Sequence, residues 1–274
     1  MRLVVVGTGL IGGSFALAAR RHGVFDEVLG VEPDPVRRQR ARDLALVDDL
    51  VDAVPEQADA VLLAGPSDTI GAWAACLRDH PGVLFDAGSL KGAVLAAVRE
   101  ATGTVPPRFV ACHPLTGSER SGPDAADAGL FEGAEVILTP APETDPEALA
   151  QVAGWWRAVG GRTTRMDPAR HDEVLAVTSH LPHLVAFAYL QQVGDEHLRH
   201  AAGGFRDFSR IGGADPEVWA PIFAGNRTAV LGALDDLEGD LQRIRALLEN
   251  DDIDALKDLL EAAGARRRSW DDDH

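Results

Sequence analysis

The run Cys112-His113-Pro114-Leu115-Thr116-Gly117-Ser118-Glu119-Arg120-Ser121-Gly122 gathers an imidazole, three hydroxyls, a carboxylate and a guanidinium among Gly and Pro. His113 is its natural proton carrier near neutral pH. The run follows Phe109-Val110-Ala111, which reads as the end of a short strand. In parallel α/β sheets ligands sit beyond the carboxyl ends of strands, so acid–base chemistry placed there marks a candidate site. A capped surface turn is the plain alternative for this segment taken alone.

A second group is Gly7-Thr8-Gly9-Leu10-Ile11-Gly12, between an apolar run and a helical pattern. Glycines at that spacing permit a tight turn and close approach to a pyrophosphate, and the first-turn amides of Leu10 and Ile11 supply donors. Glu32, twenty residues past Gly12, falls at the end of the second strand. A carboxylate there accepts from ribose hydroxyls and repels a 2′-phosphate, which favours NAD over NADP. Arg37, Arg38 and Arg40 follow it, either solvated or countering that preference.

Three further groups carry chemistry. In Asp86-Ala87-Gly88-Ser89-Leu90-Lys91, Ser89 either caps the next helix or faces a ligand. His180-Leu181-Pro182-His183 has no cysteine or carboxylate cluster beside it, so no metal is expected and satisfied core histidines are the alternative. Phe205-Arg206-Asp207-Phe208-Ser209-Arg210, with Asp215-Pro216-Glu217-Val218-Trp219 after it, offers Arg210 as a partner for Asp207 or as a carboxylate clamp.

The elements that must position these groups divide the chain in two. Strands are expected at 3–7, 27–31, 60–64, 83–87, 108–111 and 135–139, with helices at 10–22, 35–44, 68–78 and 91–100. Several strand runs are apolar throughout, as in parallel sheets covered on both faces, which predicts a doubly wound α/β sheet. After Met166 helical periodicity takes over, giving a boundary between 1–166 and 167–274.

With 46% apolar residues the chain can bury a large core, while a net charge of −17 argues against a nucleic-acid partner. Two cysteines, Cys76 and Cys112, fit a reducing compartment, and no signal-peptide pattern opens the chain, so a cytoplasmic protein is expected. Residues 174–190 contain no Asp, Glu, Lys or Arg, but the histidines, Pro182 and hydroxyls favour a helix buried in protein over a membrane span.

Taken together, GTGLIGGS (7–14), DAGSLK (86–91), HPLTGSERSG (113–122), HDEVLAVTSHLPH (171–183) and FRDFSRI…DPEVW (205–219) resemble the prephenate dehydrogenase family. The first motif is generic; the other four, in the family's order, are specific. The resemblance implies a Rossmann domain at 1–166 followed by an all-helical substrate-binding and dimerisation domain at 167–274. It implies NAD-dependent oxidative decarboxylation of prephenate to 4-hydroxyphenylpyruvate and CO2 in tyrosine biosynthesis. Arogenate or 4-amino-4-deoxyprephenate is the alternative substrate. A different Rossmann-type hydroxy-acid dehydrogenase would share the glycine turn without needing the other motifs.

By that resemblance His113 matches the catalytic base, and Ser89 a serine holding the same hydroxyl or orienting the histidine. Arg210 and His183 match substrate-binding positions, as do Glu119, Asp207 and Trp219. Gly7, Gly9, Leu10, Ile11, Gly12 and Glu32 match the cofactor site. A homodimer acting on a small molecule follows, with no nucleic acid, membrane or metal. The stretch Ile211-Gly212-Gly213-Ala214 is richer in glycine than the family pattern, and the chain length leads us to expect no ACT or chorismate mutase domain.

Overall fold

Strands apolar on both faces need cover on both sides. The structure, a computed structural model, describes residues 1–117 and 120–273. Its first stretch runs β1 (Arg2–Val6), α1 (Leu10–Arg21), β2 (Glu27–Val31), α2 (Pro35–Asp43), β3 (Asp49–Leu50), β4 (Ala60–Leu63), α3 (Ile70–Cys76), β5 (Val83–Asp86), α4 (Lys91–Thr102) and β6 (Phe109–Val110). These six strands form one parallel sheet in the order β3-β2-β1-β4-β5-β6. That is the doubly wound Rossmann order, whose strand sequence reverses between β1 and β4. Alternate residues feed two separate cores: Leu3, Val5 and Phe85 enter one, Val4, Val6 and Leu84 the other. The expected α/β architecture is therefore present, with β3 as an added edge strand.

The run at 135–139 does form a strand, but not in the parallel sheet. A second, three-stranded sheet joins β7 (Cys112–Pro114) antiparallel to β8 (Glu135–Leu138), and β8 parallel to β9 (Arg162–Arg165). Between β8 and β9 lies α5 (Pro146–Ala158). Its Trp156 packs edge-on against Phe15 of α1 at 4.7 Å and Phe131 at 5.2 Å, closing the core between the sheets. Only Ala111 separates β6 from β7, so the chain changes sheets immediately before His113.

From residue 168 onward the described chain is helical: α6 (Pro168–Leu175), a π-helical turn (Ala176–His180), α7 (Leu181–Leu190), α8 (Asp195–Leu198), α9 (Gly203–Ser209), a 3₁₀ turn (Arg210–Gly213), α10 (Pro216–Gly225), α11 (Arg227–Glu249) and α12 (Ile253–Asp273). Asp167 starts α6 by accepting from the amides of Ala169 and Arg170 at 2.9 and 3.2 Å, with Pro168 at the first helical position. Contacts divide the chain into two compact units, Met1–Asn226 and Arg227–His274. Helices α6 to α10 thus belong to the unit that holds the sheets.

The helix over Pro168–Leu190 is the one among the described residues long and apolar enough to cross a membrane by length and composition. Burial within the protein was expected for it, yet only 22% of its most apolar window is buried in this chain. Its buried positions include two histidines, His171 at 0% exposed and His180 at 2%, beside the apolar Leu175, Ala176 and Ala186.

Candidate active site

The glycine turn leaves β1 beside β4, at the point where strand order reverses. Gly7 has φ +90°, and a Cβ there would lie 2.8 Å from the Gly65 amide nitrogen. At Gly12 a Cβ would come within 1.9 Å of the Gly7 carbonyl oxygen. Both positions therefore require glycine. Gly9 differs, since a Cβ there meets nothing within 4 Å. Gly9 is also the N-cap of α1, where no side chain caps the helix. The amides of Leu10 and Ile11 thus begin a helix whose positive end faces open space, a fit for a pyrophosphate.

Glu32 is buried beside this turn. Its Oε2 accepts from the Thr8 amide at 2.9 Å and the Thr8 hydroxyl at 3.1 Å, and Oε1 from the Asp34 amide at 3.2 Å. The carboxylate thereby holds the turn in shape while lone pairs on both oxygens stay available to hydroxyls. Of the nearby arginines, Arg38 donates to the carbonyls of Val51 and Leu50 at 3.0 and 3.1 Å, and Arg40 donates to Asp124 at 2.8 Å.

Beneath His113 lies a fully buried ion pair, Lys91 Nζ to Asp86 Oδ2 at 2.6 Å. Lys91 also donates to the Cys112 carbonyl at 2.7 Å, and Asp86 Oδ1 accepts from the Cys112 amide at 3.0 Å. The residue before His113 is thus fixed through both of its backbone groups. Burial pushes the Cys112 thiol well above its ordinary range, and its sulfur packs against Trp156 Nε1 at 3.3 Å, so it is a structural thiol.

His113 Nδ1 lies 2.9 Å from His171 Nε2, and His171 Nδ1 lies 2.8 Å from Asp172 Oδ1. Burial first, then the charge of Lys91, holds the His113 pKa well below 6.5. It is a neutral base at physiological pH. Burial alone would raise the Asp172 pKa, but hydrogen bonds from His171 and the amides of Lys91 and Gly92 bring it below the usual carboxylate value. Those two amides, at 3.0 and 2.9 Å, open α4, so Asp172 caps that helix from across the interface.

Ser89 consequently has no capping role. The helix begins after Leu90 with no side-chain cap of its own, and the half-buried Ser89 hydroxyl has no hydrogen-bond partner among the described residues. Neither His171 nor Asp172 was singled out from the sequence. The signal the sequence carries for them is the HD pair at 171–172.

The π-helical turn is a local widening of the helix that often accompanies function. His180, at its end, accepts at Nδ1 from Asn226 Nδ2 at 3.1 Å, and Asn226 also donates to the Asp172 carbonyl at 2.7 Å. Burial pushes the His180 pKa down to about 4. His183 donates from Nδ1 to the Ser179 carbonyl at 2.8 Å and stacks on Trp219 with ring centroids 3.5 Å apart. Burial and the charge of Arg210 lower its pKa, against a raising contribution from the Ser179 carbonyl. His183, Trp219 and Arg210 are thus brought together.

Arg210 is exposed and makes no ion pair among the described residues. The expected partner Asp207 instead lies 3.8 Å from Arg206, with both side chains exposed. Helix α9 stops at Ser209 and Arg210 opens a 3₁₀ turn. The glycine-rich departure has a packing reason. A Cβ on Gly212 would lie 2.6 Å from Leu190 Cδ1 and 3.2 Å from the Ala186 backbone, so the turn bearing Arg210 rests directly on α7. Glu119 lies outside the described residues.

Comparison with known proteins agrees with this geometry. The profile of the prephenate dehydrogenase nucleotide-binding domain matches residues 15–165, and that of the prephenate dehydrogenase dimerization domain matches 167–262. Cyclohexadienyl dehydrogenase of Zymomonas mobilis is 34% identical over 287 aligned positions, covering 99% of this chain and 97% of the relative. Prephenate dehydrogenase from A. aeolicus, solved in complex with hydroxyphenyl propionate and NAD+, superposes with TM-score 0.90 at 33% identity over 98% of each chain. Arogenate dehydrogenase from Synechocystis gives 0.83 at 30% identity over 98% of this chain and 100% of that one. With both domain profiles matched in order along the elements described above, this chain belongs to the prephenate dehydrogenase family.

Proposed function

We propose that this chain catalyses the NAD-dependent oxidative decarboxylation of prephenate to 4-hydroxyphenylpyruvate and CO2, a step of tyrosine biosynthesis. The observation that carries the reading is His113, a neutral imidazole whose Nδ1 is engaged by His171. Its Nε2 is left to accept the proton of the ring hydroxyl. NAD+ bound against the Gly7–Gly12 turn supplies the hydride acceptor. Gly9, Leu10 and Ile11 suit its pyrophosphate, and Glu32 suits its adenosine ribose. Arg38 and Arg40 are already engaged by protein groups, which supports NAD over NADP.

The Ser89 hydroxyl, without a hydrogen-bond partner among the described residues, steadies the substrate hydroxyl. Arg210 clamps a substrate carboxylate in its bidentate fork, and the stacked His183 and Trp219 wall the same side. Asp207 is assigned to the same substrate-binding set. Loss of the ring carboxylate as CO2 is driven by aromatisation, so the chain needs to orient and desolvate rather than donate a proton there.

In this reading residues 1–166 bind nucleotide, while 167–274 bind substrate and pair two copies into a cytoplasmic homodimer. Exposed Val177, Tyr189, Phe208 and Val218 and the little-buried Pro168–Leu190 helix support a second copy as their cover. Arogenate is the second reading, favoured by the full-length likeness to the Synechocystis arogenate dehydrogenase.

Purified protein assayed with prephenate and arogenate, each with NAD+ and NADP+, tests both. Highest kcat/KM is expected for prephenate with NAD+. A preference for arogenate selects the second reading, and inactivity with both substrates overturns the first and the second alike.

A further inference from the structure

We propose that His171 and Asp172 are positioning residues that fix the tautomer of His113, holding its Nδ1 protonated and its Nε2 free. The inference rests on His113 being the base of the reaction proposed above, and its structural part can be read without turnover.

Asp172 accepts at Oδ1 from the Lys91 amide at 3.0 Å and at Oδ2 from the Gly92 amide at 2.9 Å, so the carboxylate cannot swing away from α4. A carboxylate 2.8 Å from His171 Nδ1 requires the proton of that ring to sit on Nδ1. His171 Nε2 then carries a lone pair. At 2.9 Å from that lone pair, His113 Nδ1 must be the donor, since the opposite tautomer would set two lone pairs face to face. A neutral imidazole protonated at Nδ1 presents Nε2 as acceptor.

A doubly protonated His171 would reverse the chain and leave His113 as a donor at Nε2. His171 is 0% exposed, and the buried ammonium of Lys91 already occupies this region, so a second buried cation is disfavoured.

The proton balance is simple. The ring hydroxyl proton ends on His113 Nε2, the Nδ1 proton stays where it is, and none passes to His171 or Asp172. The imidazolium so formed is opposed by the buried ammonium of Lys91. The Asp172 carboxylate, one ring away, is the anion it is aligned with; the buried Asp86 is paired with Lys91.

The test is long-range ¹H–¹⁵N NMR of histidine-labelled full-length protein, with His113 assigned by its loss in His113→Asn, alongside steady-state kinetics of Asp172→Asn and His171→Gln. Expected are the Nδ1–H tautomer of His113 in the wild type and its loss or mixing in both variants. In Asp172→Asn, kcat is expected to fall about 10²-fold or more with KM within about threefold, as when a histidine base loses the carboxylate that sets its tautomer. A helix-capping role alone would lower the melting temperature and leave tautomer and kcat of the folded fraction unchanged. An Nε2–H tautomer in the wild type, or wild-type kcat in folded Asp172→Asn, overturns the proposal. Should Asp172→Asn fail to fold, the wild-type and His171→Gln spectra decide. If the wild type turns over neither prephenate nor arogenate, the functional reading fails while the tautomer result still stands or falls by itself.

Discussion

Around His113 the polar groups are enclosed and partnered: Lys91 with Asp86 and the Cys112 carbonyl, His171 with Asp172, and Asp172 with the first amides of α4. Around Arg210 the arrangement is the reverse, for the guanidinium is exposed and without an ion pair among the described residues. The contrast shows where each half gets its definition. A base must already be in the right tautomer and charge state when substrate arrives, so its surroundings are completed during folding. A carboxylate clamp must keep its donors free, so its partner is left for the substrate to supply.

Replacing His113 by Asn strikes the enclosed half at its centre. It should lower kcat by about 10²–10⁴-fold with little change in NAD binding; turnover near the wild-type value would remove the general-base role. Lys91→Met leaves Asp86 as a buried, unpaired carboxylate, and urea unfolding should show a loss of about 3–5 kcal/mol. A loss within 1 kcal/mol, on the order of a surface pair, would mean the pair is not sealed.

On the open half, Arg210→Ala should raise KM by about 10–10²-fold with the smaller change in kcat, the signature of a lost binding contact. An unchanged KM would make the arginine structural and dissolve the contrast. His180 tests the enclosed half through pH. Its folded pKa of about 4 lies below the ordinary 6.5, so the unfolded chain binds the proton more readily. Stability is therefore complete above the ordinary value and is lost as pH falls toward 4. Unfolding free energies from urea titrations at neutral pH and near pH 5 should differ by about 1–2 kcal/mol more in the wild type than in His180→Gln. Gly212→Ala should give the mildest change, a rise of a few-fold in KM as the turn lifts off Ala186 and carries Arg210 with it. A rise equal to that of Arg210→Ala would show that the open half is as tightly set as the enclosed one.

The parallel sheet was legible because β1, β4 and β5 are apolar on both faces, a pattern few other elements share. The second sheet was not. Cys112–Pro114 carries a histidine and a proline, and Arg162–Arg165 is short and mostly exposed, so only their pairing with Glu135–Leu138 makes them strands. Helix α5 was not among the expected helices, although Asp145 and Pro146 cap its start. The glycine turn and Glu32 could be placed because their spacing is itself the mechanism. The link from His113 to His171 spans 58 residues, and no local pattern encodes it. Gly212 likewise looked anomalous in one dimension and became intelligible only beside Ala186.

The change of sheet at Ala111 has a consequence for how this chain can vary in length. Phe109 and Val110 are locked in register with Leu84 and Phe85, while Cys112, His113 and Pro114 are locked with Leu138, Ile137 and Val136. One residue gained or lost between them would turn the imidazole to the opposite face of its strand. The reading frame of 109–114 is thus as strict as its chemistry: substitutions there would tune the base, and a single insertion or deletion would delete it outright.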